Sequence, residues 1–187
     1  MIITEQKSIE EIEEKIEPYK KIVIIGCAEC AAITQTGGSE QVKEMAEHLE
    51  EDLDKKVLAT LMIDSPCDER ITRRDIKLIQ DELEEAEILL LMTCGLGCQS
   101  IGRITGVKYI PALNTLSMGR VERLGIYPED CIGCDDCVLF EYDGKCPYLA
   151  RKVCKDCNRI LRYDSKYCDI CGSQNLETGE AKVYTNK

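Results

Sequence analysis

The chain has no tryptophan, one phenylalanine and one histidine, and aromatic residues make up 5% of its 187 positions. Proteins that grip single-stranded nucleic acid stack bases on aromatic rings, and such platforms are scarce here. Positive charge is also short: 24 Lys and Arg stand against 35 Asp and Glu, a net charge of −11 with a pI near 4.7. A duplex binder neutralises phosphates with Lys and Arg, so no nucleic-acid partner is expected. The lone His48, expected in an acidic, exposed part of its helix, excludes networks that need more than one imidazole. The longest apolar runs, near Ile22–Ile25, Val57–Ile63 and Ile88–Met92, fall far short of the ~20 residues that span a bilayer. Met1–Lys20 is a charged amphipathic segment rather than a signal peptide. These absences lead to the expectation of a cytoplasmic chain with no membrane partner. No Ser-His-Asp set, P-loop or pair of catalytic carboxylates stands out.

Cysteine, by contrast, is abundant. Thirteen is an odd number, so full disulfide pairing is impossible, and two-residue spacers point to metal instead. Cys131, Cys134 and Cys137 fall at C-x2-C-x2-C spacing, and Cys146-Pro147 follows after eight residues. An iron–sulfur cubane needs four thiolates converging on one inorganic core, and two-residue spacers wrap the backbone around it. Asp143-Gly144 favours a tight turn, so Val138–Lys145 is expected to form a short hairpin that returns Cys146 to the core. The alternative is a zinc knuckle, which requires fewer equally spaced cysteines.

The first part of the chain alternates helix and strand patterns. Helices are expected over Ser8–Glu17, Ser39–Asp54, Arg70–Glu85 (with Thr72 as N-cap) and, more weakly, Cys98–Thr105. Buried strands are expected over Lys21–Gly26, Lys56–Ile63, Glu87–Met92 and Val107–Ile110. This order implies an α/β fold, a small doubly wound parallel sheet of about four strands. It spans residues 1–112; residues 113–150 hold a connector (Leu113–Asp130) and a ferredoxin-like [4Fe–4S] segment, and 151–187 a zinc ribbon and tail.

In a parallel sheet Cys27, Cys67 and Cys94 would all lie at the carboxyl edge, where such folds bind ligands. Cys30 stands one C-x2-C step beyond Cys27. Cys27, Cys30, Cys67 and Cys94 are therefore the expected ligands of a second [4Fe–4S] cluster, with Cys98 a spare thiol or a rival to Cys94. Thr36-Gly37-Gly38-Ser39 opens a helix and could hold an anion, but an ordinary start capped by Ser39 is the simpler reading. In the tail, Cys154, Cys157, Cys168 and Cys171 form C-x2-C…x10…C-x2-C, the spacing of a four-thiolate ribbon. Zn2+ is the preferred ion, although the same ligands suit a single iron. Arg151–Lys187 carries 8 basic and 5 acidic residues, a balance better suited to protein docking or to stapling the C-terminus than to nucleic acid.

Several phrases together resemble the small iron–sulfur subunit of bacterial and archaeal methylenetetrahydrofolate reductase complexes, the MetV-type or methylenetetrahydrofolate reductase C-terminal-like family. They are Cys27-Ala-Glu-Cys30 with Thr36-Gly37-Gly38, Cys67-Asp68, Thr93-Cys94-Gly95-Leu96-Gly97 with Gln99, Tyr109-Ile-Pro-Ala-Leu-Asn-Thr115, and Tyr127-Pro-Glu-Asp-Cys131-Ile-Gly-Cys134. The resemblance implies an electron-transfer and docking subunit whose partner is a flavin-bearing TIM-barrel reductase in one-carbon (folate) metabolism, with further electron-transfer subunits beyond it in some organisms. It also implies that the chain is not itself the catalytic subunit. Cys131, Cys134, Cys137 and Cys146 match the family's ferredoxin-like set, and Cys27, Cys30, Cys67 and Cys94 its N-terminal set. The chain departs at Ala31-Ala32-Ile33-Thr34, where a further cysteine is expected, at Cys98, and in its ribbon tail. Two alternatives rest on the residues alone: a redox-sensing or protein/RNA-binding regulatory module, and a chain that is itself catalytic at an open iron site.

Overall fold

The computed structural model describes residues 1–135, 137–144, 146–149, 151–161, 165–179 and 181–185. The chain divides into two compact units, Ile2–Leu116 and Ser117–Lys187 with Met1. Among the described residues no helix is long and apolar enough to cross a membrane.

The first unit is mixed α/β. In chain order it contains β1 (Ile2–Gln6), α1 (Ile9–Ile16), β2 (Lys21–Cys27), α2 (Cys30–Ile33), α3 (Ser39–Glu51) and β3 (Lys56–Ile63). It continues with α4 (Glu69–Asp75), a 3-10 turn (Ile76–Ile79), α5 (Gln80–Glu85), β4 (Ile88–Met92), α6 (Gly95–Thr105), β5 (Tyr109–Pro111) and the start of β6 (Leu113–Gly119). Four strands pair in parallel in the order β3-β2-β4-β5. Alternation along the two central strands divides the core. Ile22, Ile24, Ile88, Leu90 and Met92 meet α1 and α3 on one face. Val23, Ile25, Leu89 and Leu91 meet Ile76, Ile79, Leu83 and Ile101 on the other. All five β4 residues are buried, and each such side chain contributes about 1.5–3 kcal/mol by leaving water.

Several expected details are corrected. The helix expected over 70–85 is broken by the 3-10 turn at Ile76–Ile79. Tightening to three residues per turn stacks Ile76 and Ile79 on one side, and both enter the same core. Its cap is Asp68, which accepts from Arg70 N, whereas buried Thr72 donates its hydroxyl to Pro66 O at 3.0 Å. The weak helix begins at Gly95 rather than Cys98 and ends on Gly106, whose φ of +66° suits glycine. Gly38, not Ser39, occupies the N-cap of α3, and its N–H donates to Gln41 Oε1.

His48 is not a solvated bystander. Its ring bridges Glu13 on α1 (2.9 Å) and Asp52 at the end of α3 (2.6 Å). Burial lowers its pKa, but hydrogen bonds to Glu13 and Asp52 outweigh this and raise it above the ordinary 6.5. A raised folded-state pKa stabilises the fold below the unfolded value, and that contribution fades as pH rises through the folded pKa. His48→Gln should therefore lower stability by about 0.5 kcal/mol at pH 6 and by less at pH 9, read from denaturant midpoints at the two pH values.

The second unit has two small sheets. β7 (Ile126–Cys131) pairs antiparallel with the end of β6, with a register shift, and with the later β11. β8 (Lys152–Cys154) lies between β9 (Ile160–Leu161) and β10 (Leu176–Thr178) in a three-stranded antiparallel sheet, and β11 (Val183–Thr185) follows. The stretch expected to be a plain connector is therefore largely strand. Residues 138–144 form not a hairpin but a 3-10 turn, Leu139–Tyr142, followed by Asp143 (φ +49°) and Gly144 (φ +76°). Lys145, the last residue of the expected hairpin, and residues 162–164 between the ribbon knuckles lie outside the described residues.

Candidate metal centres

Cys154, Cys157, Cys168 and Cys171 converge: one sulfur from each lies within 4.8 Å of all the others. Cys154 Sγ stands 3.6 Å from Cys171 Sγ, and Cys157 Sγ 3.5 Å from Cys168 Sγ. A tetrahedral ion with 2.3 Å metal–sulfur bonds separates its sulfurs by about 3.8 Å. A cubane binds one thiolate per iron and holds its ligands wider apart. This group therefore fits a single metal ion.

Local backbone builds the site. Asn158 (φ +59°) and Gly172 (φ +72°) each turn the chain just past a C-x2-C step, their N–H groups donating to Cys154 O and Cys168 O. The first cysteine of each step is buried and the second exposed. Ile170 N–H also donates to Cys168 Sγ at 3.5 Å. Hydrogen bonds from the backbone of Cys171 and, against some burial, of Ile170 hold the Cys168 thiol at about 7, well below its ordinary value. Such bonds stabilise the thiolate, the form that binds metal.

The sheet-edge thiols occupy the expected edge. Cys27 ends β2 opposite Ile63, the last residue of β3, while Gly26 faces Met92, the last of β4. Cys30 opens α2, Cys67 sits in the turn after β3, and Cys94 is the N-cap of α6. Burial raises the Cys27 thiol pKa, and backbone N–H groups of Ala31 and Glu29 oppose it. The charges of Cys30 and Cys94 would act on both Cys27 and Cys67. Ile2 N–H donates to Cys30 Sγ at 3.3 Å. Among the described residues no second group of three or more ligand atoms is drawn within 4.8 Å, so this edge does not fit one bare ion.

Cys98 separates from the rest. It packs with Ile25, Leu91 and Ile101, its Sγ donates to Thr93 O at 3.5 Å, and burial, then the Cys94 charge, push its thiol up to about 12. In this arrangement Cys98 packs as a small apolar side chain on the core beneath the edge.

Cys131, at the end of β7, Cys134 and Cys137 are exposed, and Cys146 is half-buried. Gly133 N–H donates to Cys131 Sγ at 3.4 Å, with Gly133 at φ +66°. Cys146 lines a cavity of about 720 Å³ with Arg120, Leu139 and Lys182. These four sulfurs also do not form a single-ion group.

One backbone device recurs at two C-x2-C steps. The N–H two residues on donates to the first sulfur: Gly133 to Cys131 and Ile170 to Cys168.

Two polar clusters carry no cysteine signal in sequence. Thr4, Thr34 and Thr36 join buried hydroxyls at 2.6–3.1 Å and tie β1 to the loop beyond Cys30. Glu129, two residues before Cys131, is buried and accepts from Ser117 Oγ at 2.6 Å and from the Arg151 guanidinium. A glutamate next to Pro128 in a strand read as connector offered no cue to its burial.

No family model, no curated protein and no solved structure matches the chain.

Proposed function

We propose that this chain is an electron-transfer and docking subunit of a methylenetetrahydrofolate reductase complex, serving a flavin-bearing catalytic partner. The observation that carries the reading is the recurring N–H···S bond. Cys30, Cys131 and Cys168, one in each cysteine group, each accept a backbone N–H, a donor ready for a thiolate. The phrases shared with the MetV-type family supply the partner and the pathway.

In this reading Cys27, Cys30, Cys67 and Cys94 hold one [4Fe–4S] cluster, and Cys131, Cys134, Cys137 and Cys146 a second. Cys154, Cys157, Cys168 and Cys171 hold Zn2+. The clusters supply single-electron carriage, and the flavin on the partner converts it to hydride chemistry. The protein's own contribution is placement: Cys27 and Cys94 are buried at the sheet edge, and the Ile2 N–H steadies the Cys30 sulfur.

Anaerobic purification should give about eight irons and about one zinc per chain, with reduced-cluster EPR signals. It should also bring down a flavoprotein that reduces methylenetetrahydrofolate. Fewer than about four irons per chain would sink the two-cluster form. A fully metallated preparation without any flavoprotein would sink the partner assignment.

A further inference from the structure

The four sheet-edge thiols are not equivalent. Cys27 and Cys94 are 4% and 6% exposed. Cys30 is half-buried and accepts the Ile2 N–H. Cys67 alone among them is exposed.

The Cys67 turn is also fixed where it stands. Asp68 N–H closes it on Ser65 O at 2.8 Å, and the Thr72 hydroxyl donates to Pro66 O. The Pro66 ring lies against Gly97, where an added Cβ would come within 3.0 Å of Pro66 Cγ. Cys67 thus reaches the edge from the solvent side on a turn held at both ends.

We propose that the sheet-edge centre is site-differentiated: the iron held by Cys67 is its one exchangeable corner, open to water, hydroxide or a small thiolate. This rests on the cluster reading given above. Three thiolates anchored against the sheet retain a three-iron core, while the fourth iron meets solvent through its exposed ligand. A one-electron oxidant would then remove that corner alone. A [4Fe–4S]2+ core and one ferricyanide yield [3Fe–4S]+, one Fe2+ and one ferrocyanide, and the freed Cys67 thiolate takes a proton from solvent. Iron in and iron out through one corner makes the centre a site for exogenous ligands as well as a carrier of electrons.

The test uses the full chain, assembled anaerobically, as wild type, Cys67→Ala and Cys27→Ala, with thermal melts to confirm folding. Wild type treated with ferricyanide should lose one iron and show a three-iron EPR signal. Returned 57Fe2+ with reductant should appear in Mössbauer spectra as a single iron site. Cys67→Ala should carry the three-iron signal before any oxidant, whereas Cys27→Ala should lose about four irons. The proposal is overturned if Cys67→Ala keeps its full iron, or loses as much as Cys27→Ala, or if it shows no three-iron signal as assembled and ferricyanide then generates one as large as in wild type. If folded Cys27→Ala holds as much iron as wild type, the sheet edge carries no cluster, and it is the underlying reading that fails.

Discussion

Cys168→Ser should empty the C-terminal metal site and unfold the ribbon. The three ribbon strands have only three, two and three residues. Their apolar core is Cys154, Leu161 and Cys168, with Leu176 packed on it. Burying a leucine contributes about 1.5–3 kcal/mol, whereas ordering each residue costs about 1–2 kcal/mol of backbone entropy. Such a core cannot order a segment of this length unaided. A structural zinc ion supplies about 10–16 kcal/mol, enough to offset the deficit. Cys168 is the severest position because it is buried and its thiol is held at about 7 by backbone donors. Serine leaves those donors facing a weak metal ligand. In NMR spectra the amide signals of residues 152–161 and 165–178 should collapse to random-coil positions, and an excess of chelator should do the same to wild type. Tyr167→Ala, beside it but 63% exposed, should leave them in place. Native amide dispersion in the metal-free protein would show that the ribbon folds without an ion.

The sheet was legible because its strands are continuous apolar runs between helix patterns. β4 is buried throughout, and nothing but a strand covered on both faces uses such a run at that length. β1 was missed because Ile2–Gln6 buries only Ile3 and Thr4, leaving too few apolar positions to set a period. β7 was missed because Pro128 argues against a paired strand. Pro128 is accommodated opposite Val183 of β11, where the bond to that strand is made by the next residue, Glu129 N–H to Lys182 O, and the Pro128 carbonyl still accepts Arg120 N–H. The cysteine groups were legible from spacing, since a C-x2-C step is a local geometry. Which thiols pack into the core was not, because nothing in the local sequence marks Cys98 as facing the apolar cluster. That distinction depends on the packing of α6, which no local pattern encodes.

Gly37→Ala should be the most damaging change at the sheet edge, lowering stability by about 3 kcal/mol or more and, under the proposed cluster assignment, stripping iron from this edge. The obstacle is space, not backbone conformation. A Cβ on Gly37 would stand 2.1 Å from Met92 O and 2.9 Å from its carbonyl carbon. Both are backbone atoms at the end of β4, which is held by parallel pairing to β2 and β5. Neither can swing aside as a side chain would. The other side of the loop is equally closed, because Gly37 O accepts the Cys27 N–H at 3.1 Å. Moving Gly37 off β4 therefore drags the backbone of Cys27 with it. Gly95→Ala is the matched control on the same edge, since its Cβ would meet nothing nearer than Thr115 Oγ1 at 3.4 Å. It should change the urea midpoint and the iron content little. The reading of Thr36–Ser39 as an anion cradle makes a different forecast, in which alanine at 37 weakens a ligand but leaves the apo fold intact. A metal-free Gly37→Ala protein that melts with wild type would favour that cradle, and the ordering of Cys27 would then need a cause other than this backbone interlock.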